Sequence, residues 1–242
     1  MPGYYRTQGY VLRRFNLGEA DRIITFITPD KGKLKAVARG VRRMKSKFAG
    51  HLELFSHVEL QIATGKSLDV ITSAKLIETP PELEYDQLGL AYLYAQMIDK
   101  LVDEDDQPQD TYVLIQMAFE DLIAFGASGL GELYFKLRLA AILGHQPDLT
   151  SCVRCGKSGP DYQYFFEPSL GGILDEACKM PGSMAMSHDG IKLWRAILSL
   201  NLANVRRIAG AEQLAQETLT ICSAFYDYTF DRRFTAADTL QG

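Results

Sequence analysis

The hydrophobic period of this chain changes near residue 80, and this change sets most of what the chain can fold into. Before that point, short segments alternate apolar and polar residues with the two-residue period of β-strands. After it, apolar residues such as Leu93 and Met97 recur at helical spacing. The Thr-Pro-Pro sequence at 79–81 indicates a stop and a turn. We therefore predict an α+β fold with two domains, residues 1–79 and 80–242.

The first domain is predicted to contain five short strands. In the third strand, Leu34 and Ala36 alternate with Lys33 and Lys35, so the two lysines share one face of the sheet. Five strands in about 75 residues favour a small closed barrel over an open sheet. The predicted strands are 9–15, 22–28, 33–38, 52–63 and 67–78, and the predicted helices are 83–102, 111–125, 130–143, one that opens near Ser187, and 211–228.

Charge is distributed unevenly along the chain. Segment 31–47 carries eight bases and no acids, although the whole chain has a net charge of −4. Residues 1–78 hold 14 Lys and Arg against 7 Asp and Glu, whereas residues 79–242 hold 12 against 23. A cation cluster of this kind predicts a polyanion-binding surface, and nucleic acid is the favoured polyanion. The alternative is a solvated basic loop.

The candidate phosphate contacts form two groups. Lys33 and Lys35 lie on the third predicted strand, and the loop at 40–50 follows it. Such cations would hold phosphates without reading base sequence. The other residues assigned to phosphate binding, in and just before the loop, are Arg39, Arg42, Arg43, Lys45 and Lys47.

The acidic remainder of the chain, residues 79–242, is expected to be a protein-docking surface.

Three of the four cysteines are close in sequence and indicate a metal site. Cys152 and Cys155 are separated by two residues and precede a glycine, which is the form of half a zinc knuckle. The other half would be Asp175 and Cys178, so the predicted Zn2+ ligands are three thiolates and one carboxylate. His188 is a second candidate for the fourth ligand. The alternative is a metal-free cluster of reduced thiols.

Catalytic motifs are not found in the sequence. Neither H-x-E nor H-E-x-x-H accompanies the cysteines, so the metal would be structural and would tie together an insertion at about 150–180. The glycine-rich stretch 126–131 joins two predicted helices and follows no strand, unlike a Rossmann loop. Cys222 lies on an apolar helix and is interpreted as a core residue. We therefore expect that the protein is not an enzyme.

Hydropathy gives an expectation for location. No apolar run approaches the ~20 residues of a membrane span, and the amino-terminal residues lack an apolar signal core. We therefore expect a cytoplasmic protein with no membrane partner.

A long motif joins the third predicted helix to the first cysteine pair. It reads Phe135-x-x-Arg138-Leu139-x-x-x-Leu143-Gly144-x-x-Pro147-x-Leu149-x-x-Cys152-x-x-Cys155-Gly156, and Phe166-x-Pro168 and Gly171-Gly172 follow it. The amino-terminal part carries Gly18-Glu19-Ala20-Asp21, Gly32-Lys33 and Ala38-Arg39-Gly40-Val41-Arg42-Arg43. Together with the basic barrel, these motifs make the chain resemble the RecO family of bacterial recombination mediators over nearly its whole length. Asp175 is a departure, because the resemblance places a cysteine there.

The resemblance implies an oligonucleotide-binding (OB-fold) barrel followed by a helical domain with a zinc-finger-like insertion. It also implies a nucleoid-associated DNA repair and recombination protein that binds single- and double-stranded DNA and anneals complementary strands. Such a protein loads RecA on SSB-coated DNA together with RecR, and it is not an enzyme. The alternative function is a zinc-knuckle RNA-binding scaffold in RNA processing or ribosome assembly.

Contact with SSB would require a basic residue beside an apolar pocket, because the SSB tail is acidic and ends in an apolar residue. Arg138, Arg206 and Arg207 are the candidates. For Arg138 the alternative is an internal ion pair with Glu132 or Asp148.

Overall fold

The computed structural model describes residues 3–48, 50–78, 82–104, 108–159 and 161–234. The chain divides into two compact units, Met1–Phe119 and Glu120–Gly242. This division lies within a helix, well after the predicted domain boundary at residue 79. That boundary falls outside the described residues, at 79–81, and it stays a prediction.

Five strands of the first unit close into a barrel, as predicted. The strand order around the barrel is β1-β2-β3-β5-β4, and pairing of β4 with β1 completes the circle. Only β3 and β5 pair in parallel. The alternating apolar residues of the strands fill the interior, with Phe26, Val58 and Ile62 fully buried. The strands are β1 (Tyr4–Leu17), β2 (Asp21–Thr28), β3 (Gly32–Ala38), β4 (His57–Ala63) and β5 (Asp69–Glu78).

The fourth strand begins later than predicted. Residues 52–56 form turns, and Phe55 has a left-handed backbone with φ of 64°, which an extended strand cannot contain. Leu52 is nevertheless buried in the barrel core. The apolar residues that resembled a strand therefore belong to a turn that fills the barrel interior.

One helix and the first part of a second helix complete the described part of the first unit, which ends at Phe119. They are α1 (Tyr85–Leu101) and α2 (Pro108–Phe125). A capping box starts α1, in which Glu84 N–H donates to Gln87 Oε1 at 2.8 Å and the Glu84 side chain accepts from the main chain of Gln87. The predicted apolar stripe is confirmed, since Leu93 and Met97 are fully buried.

The second unit is helical with one small sheet. Ser128 and Ser187 cap the third and fourth helices, and Ser187 lies where the sequence predicted a helix start. Trp194 is fully buried, and its Nε1–H donates to Thr218 Oγ1 at 3.0 Å. The elements are α3 (Gly129–Ile142), β6 (Tyr164–Glu167), β7 (Gly172–Asp175), β8 (Met184–Met186), α4 (His188–Ser199), α5 (Leu202–Val205) and α6 (Ala211–Phe230).

The small sheet was not predicted from sequence. Its order is β7-β6-β8, and its strands have only three or four residues, too few for a period to show. Among the helices that the structure describes, none combines the length and apolar character needed to cross a bilayer.

Candidate nucleic-acid interface and metal cluster

The basic loop, residues 39–47, consists of two consecutive turns. Gly40 has a left-handed backbone with φ of 66°, and its carbonyl accepts from Arg43 N–H at 3.1 Å. Ser46 N–H donates to Arg43 O at 3.0 Å, which places Met44 and Lys45 at the corner of the second turn. The loop therefore has a defined backbone course.

Hydrogen bonds fix the start of the basic loop to the connection between β1 and β2. Gly40 N–H donates to Asp21 Oδ1 at 2.7 Å, and Arg42 N–H donates to Ala20 O at 3.0 Å. The Arg42 side chain also donates through Nη1 to Gly18 O at 3.1 Å. These contacts lie within the protein, so they hold the loop without nucleic acid.

The end of the basic loop is fixed to the barrel as well. Lys47 Nζ donates to Thr72 O on β5 at 2.7 Å, and it lies 5.0 Å from the centre of the Phe48 ring. Phe48 is only 2% exposed and belongs to the barrel core. The loop is therefore a short span between two fixed points.

The cationic side chains of the basic loop are exposed to solvent. Within the described parts of the chain, none of them forms an ion pair with a carboxylate. The partners of Arg42 and Lys47 are main-chain carbonyls, which do not neutralise a charge. The exposed cations are Arg39, Arg42, Arg43, Lys45 and Lys47.

Lys33 does not have the exposed position that its strand pattern predicted. It is only 9% exposed, and its Nζ donates to Asp99 O near the end of α1 at 3.0 Å. Burial lowers the pKa of the Lys33 ammonium, and the Asp99 carboxylate opposes that shift. The expectation that Lys33 holds phosphate is corrected: this lysine binds the carboxyl end of a helix, where a cation is favourable.

Lys35 remains exposed but has an acidic partner. Its Nζ lies 3.2 Å from Glu104 Oε1 in the segment after α1. On β1, Arg13 pairs with Asp99, with Nη1 and Oδ2 also 3.2 Å apart. Acids at and after the end of α1 thus neutralise the strand face on which the sequence placed a phosphate contact.

Barrels of this type stack bases on exposed aromatic side chains, and three of the four aromatic residues Tyr10, Phe15, Phe26 and Phe48 are buried. Phe26, Phe48 and Tyr10 belong to the core, and the Tyr10 ring stacks on His57 with centroids 4.5 Å apart. Phe15, near the end of β1, is 57% exposed. Of the four aromatics in question, it alone is available to a base.

The three arginines assigned to partner binding have different environments. Arg206 forms a two-point ion pair with Asp121, with both N···O distances at 2.5 Å, and its guanidinium lies over the Phe125 ring. That part of the prediction is corrected, because these contacts bind Arg206 within its own unit. Arg138 is half-buried and donates to Leu198 O at 2.8 Å, and not to either acid considered for it. Arg207 is exposed.

The structure brings the four predicted metal ligands together. The ligand atoms of Cys152, Cys155, Asp175 and Cys178 all lie within 4.8 Å of one another. Gly156 has a φ of 74°, and its N–H donates to Cys152 O at 2.8 Å, so the glycine after the first pair forms a tight turn. This set of three thiols and one carboxylate can hold a metal ion.

Asp175 uses its two carboxylate oxygens differently. Oδ1 accepts from Cys178 N–H at 2.9 Å and caps the short 3-10 helix Glu176–Cys178. Oδ2 accepts from the Cys155 thiol, with an S···O distance of 2.9 Å. One oxygen therefore orders the backbone while the other points at the thiols, where a metal would bind.

The thiols of the cluster differ in acidity. Burial raises the pKa of Cys152, but hydrogen bonds from the main chain of Asp175, Cys155 and Arg154 outweigh it, and the pKa falls to about 7. Burial and hydrogen bonds within the cluster raise the pKa of Cys178 to about 12. Binding of a cation would favour the thiolate at each cysteine and would release protons.

His188, the other candidate ligand, is not among the residues of this cluster. Its Nε2 lies 2.9 Å from Tyr162 O, and its ring packs edge-on against Tyr164. The described part of the chain therefore supports Asp175 as the fourth ligand.

Comparison with known proteins agrees with this architecture. Residues 1–80 match the family model for the amino-terminal part of recombination protein O, and residues 82–237 match the model for its carboxy-terminal part. This chain belongs to the RecO family. The two models meet where the sequence changes from strand to helix period.

Curated RecO relatives match along most of their length. A DNA repair protein RecO from Nocardioides sp. is 35% identical over 94% of this chain and 95% of the relative. The RecO protein of Bifidobacterium adolescentis is 36% identical with the same coverage, and that of Roseiflexus sp. is 34% identical over 89% of this chain and 78% of its own. The chain that contains the OB-like barrel, the helical part and the cysteine cluster thus belongs to a DNA repair protein family.

Two features of this RecO chain were missed by the sequence analysis. Met44 is the fully exposed tip of the basic loop, and Asp99 is the acidic residue that contacts the basic side chains Arg13 and Lys33 of the barrel. The position of Met44 among three bases was visible in the sequence. The role of Asp99 was not, because Arg13 and Lys33, the barrel residues that it binds, lie more than 60 residues away.

Proposed function

We propose that this chain is a recombination mediator that binds single- and double-stranded DNA and anneals complementary strands. With RecR, it helps to load RecA on single strands coated with SSB. It acts by binding and not by catalysis. Membership of a DNA repair family and the exposed cations of the basic loop support this proposal.

The basic loop is the observation that best supports this proposal. It presents five cations within nine residues, on a backbone that is held at its start by the Gly40 N–H to Asp21 bond and is followed at its end by the buried Phe48. Two DNA strands repel each other through their phosphates, so an annealing protein must reduce that repulsion. Exposed cations without acidic partners do this by displacing condensed counterions, and they read no base sequence.

The salt dependence of binding tests this proposal quantitatively. Five phosphate contacts on a single strand predict a slope of about −3.5 in log affinity against log salt, whereas seven contacts would give about −5. The measurement is anisotropy of labelled oligonucleotides over a salt series. We expect the shallower slope, because Lys33 is buried and Lys35 has an acidic partner. A slope near zero would contradict the electrostatic role of the loop.

Annealing of complementary strands coated with cognate SSB, with and without RecR, tests the mediator role. We expect faster pairing in the presence of the protein. The competing RNA-scaffold function is tested by competition with a structured RNA of equal length. Preference for that RNA, together with no annealing of DNA, would overturn the proposed function.

We propose that the cysteine cluster binds Zn2+ as a structural ion. In a tetrahedral zinc site, sulfur ligands at about 2.3 Å lie about 3.8 Å from one another. The four ligand atoms here all lie within 4.8 Å of one another, so small side-chain movements would bring them to that geometry. The ion would tie the Cys152–Cys155 turn to the end of β7. Chelation of the metal should therefore destabilise the second unit rather than the barrel.

Metal analysis of the purified chain tests this assignment. We expect about one zinc ion per chain, tighter binding in Asp175→Cys and weaker binding in Asp175→Ala. The control is Asp189→Ala, an exposed acid outside the cluster. Metal-free protein with stability equal to that of the zinc-loaded form would exclude a structural zinc.

Among the candidate partner contacts, Arg207 is the best placed for the SSB tail, because it is exposed and has no acidic partner in the described chain. Arg207→Ala should weaken binding of an acidic SSB-tail peptide while DNA binding is unchanged. Equal peptide binding by both proteins would place the contact elsewhere.

A further inference from the structure

The tip of the basic loop carries an apolar side chain. Met44 is 102% exposed, the highest value among the large hydrophobic residues of the described chain. It lies between Arg43 and Lys45, both exposed, with Arg42 one residue further back. The loop thus presents one apolar group in the middle of its cations.

The backbone holds Met44 in a protruding position. The turn closed by the Ser46 N–H to Arg43 O bond has Met44 as its first corner residue. The loop is fixed to Asp21 on one side and to Thr72 on the other. The methionine is therefore carried on a supported turn, and it does not pack back onto the barrel.

These observations fit one chemical partner better than others. Cations that hold phosphates bring an apolar tip within reach of the bases that those phosphates carry. Apolar side chains, methionine included, can enter a base step and partly unstack it when flanking cations bind the backbone. We propose that Met44 inserts into the base stack of double-stranded DNA bound by the basic loop. This inference rests on the proposed function.

Insertion would give the loop a role beyond charge neutralisation. Charge alone holds a duplex without opening it, whereas an apolar wedge stabilises a locally unstacked step. Met44 would then determine how strongly the protein distorts duplex DNA. The flanking cations would determine how tightly the backbone is held.

A duplex with 2-aminopurine at successive positions tests the inference, because this base becomes brighter when it is unstacked. The full chain should raise the fluorescence, and Met44→Ala and Met44→Gln should lose most of that rise. Their duplex affinity should fall about tenfold, or about 1.4 kcal/mol. Met44→Leu should keep both properties, and the salt slope should be unchanged, because no charge is altered.

Leu170→Ala is the matched control, since Leu170 is another exposed apolar residue and lies in the second unit. Thermal unfolding of each variant checks the fold. If the wild type binds DNA but Met44→Ala gives the same affinity and fluorescence, the wedge is excluded and the proposed function stands. If the wild type binds no DNA, both fail. If Met44→Ala loses affinity only for anionic lipid vesicles, the tip serves a membrane surface and the inference is wrong.

Discussion

The lysines of β3 and the cations of the basic loop are close in sequence, but they have different environments in the structure. Lys33 and Lys35, on β3, are bound by acids and a carbonyl at or after the end of α1. The basic loop that follows keeps its five cations exposed and without acidic partners in the described chain. Both groups are cationic, so what distinguishes the basic loop is that its side chains are exposed and lack a carboxylate partner, whereas Lys33 is buried and Lys35 faces Glu104.

Substitutions in the basic loop should cause the largest loss of DNA affinity. Arg43→Gln combined with Lys45→Gln should weaken single-strand binding about 25-fold at 0.1 M salt and make the salt slope shallower by about 1.4, because two phosphate contacts are lost. Lys35→Gln is the matched control and should change affinity less than twofold. Anisotropy over a salt series measures both. Equal losses in the two proteins would show that the strand face binds DNA as well.

Lys33 should matter for stability and not for DNA binding. Lys33→Ala removes the Nζ to Asp99 O bond and a buried side chain, and should lower the free energy of unfolding by about 1–2 kcal/mol. Urea denaturation provides the measurement, with Lys35→Ala as the control. A large loss of DNA affinity without a loss of stability would reverse the assignment.

Low pH should lower the stability of the barrel near His57, where the barrel packs against α2. His57 is buried, its Nε2 lies 2.8 Å from the Tyr112 hydroxyl, and burial lowers its pKa below the ordinary 6.5, while Glu78 opposes that shift. Because the unfolded chain binds the proton more readily, stability should be full above pH 6.5 and fall as pH drops below it. Thermal unfolding against pH, compared with His57→Gln, measures this effect. Identical profiles for the two proteins would assign the acid sensitivity to other groups.

The smallest expected effect comes from the acid that faces Lys35. Glu104→Gln frees that lysine and should raise single-strand affinity by about twofold, because exposed ion pairs are weak. Glu82→Gln, an exposed acid before α1, controls for the change in net charge. A tenfold rise specific to Glu104→Gln would mean that the acidic segment competes with DNA for the strand face.

Elements long enough to repeat their hydrophobic pattern were predictable from the sequence, whereas very short elements and irregular turns were not. The closed barrel followed from five short strand segments in about 75 residues, and the start of α4 followed from Ser187 and its capping position. The three-residue strand β8 gave no periodic signal. The turn around Phe55 resembled a strand in sequence, because Leu52 and Phe55 are buried just as strand residues are, Leu52 in the barrel core and Phe55 against Tyr92 and Phe119.

The sequence by itself determined the architecture, the basic loop and the four residues of the cysteine cluster. Local spacing sets these features, since a two-residue period selects a sheet face and paired cysteines converge on one point. Only the tertiary structure decided which cations stay open. Lys33 and Lys35 meet their partners across 66 and 69 residues of sequence. Whether a charge is neutralised depends on distances of a few ångströms, and folding alone creates those distances.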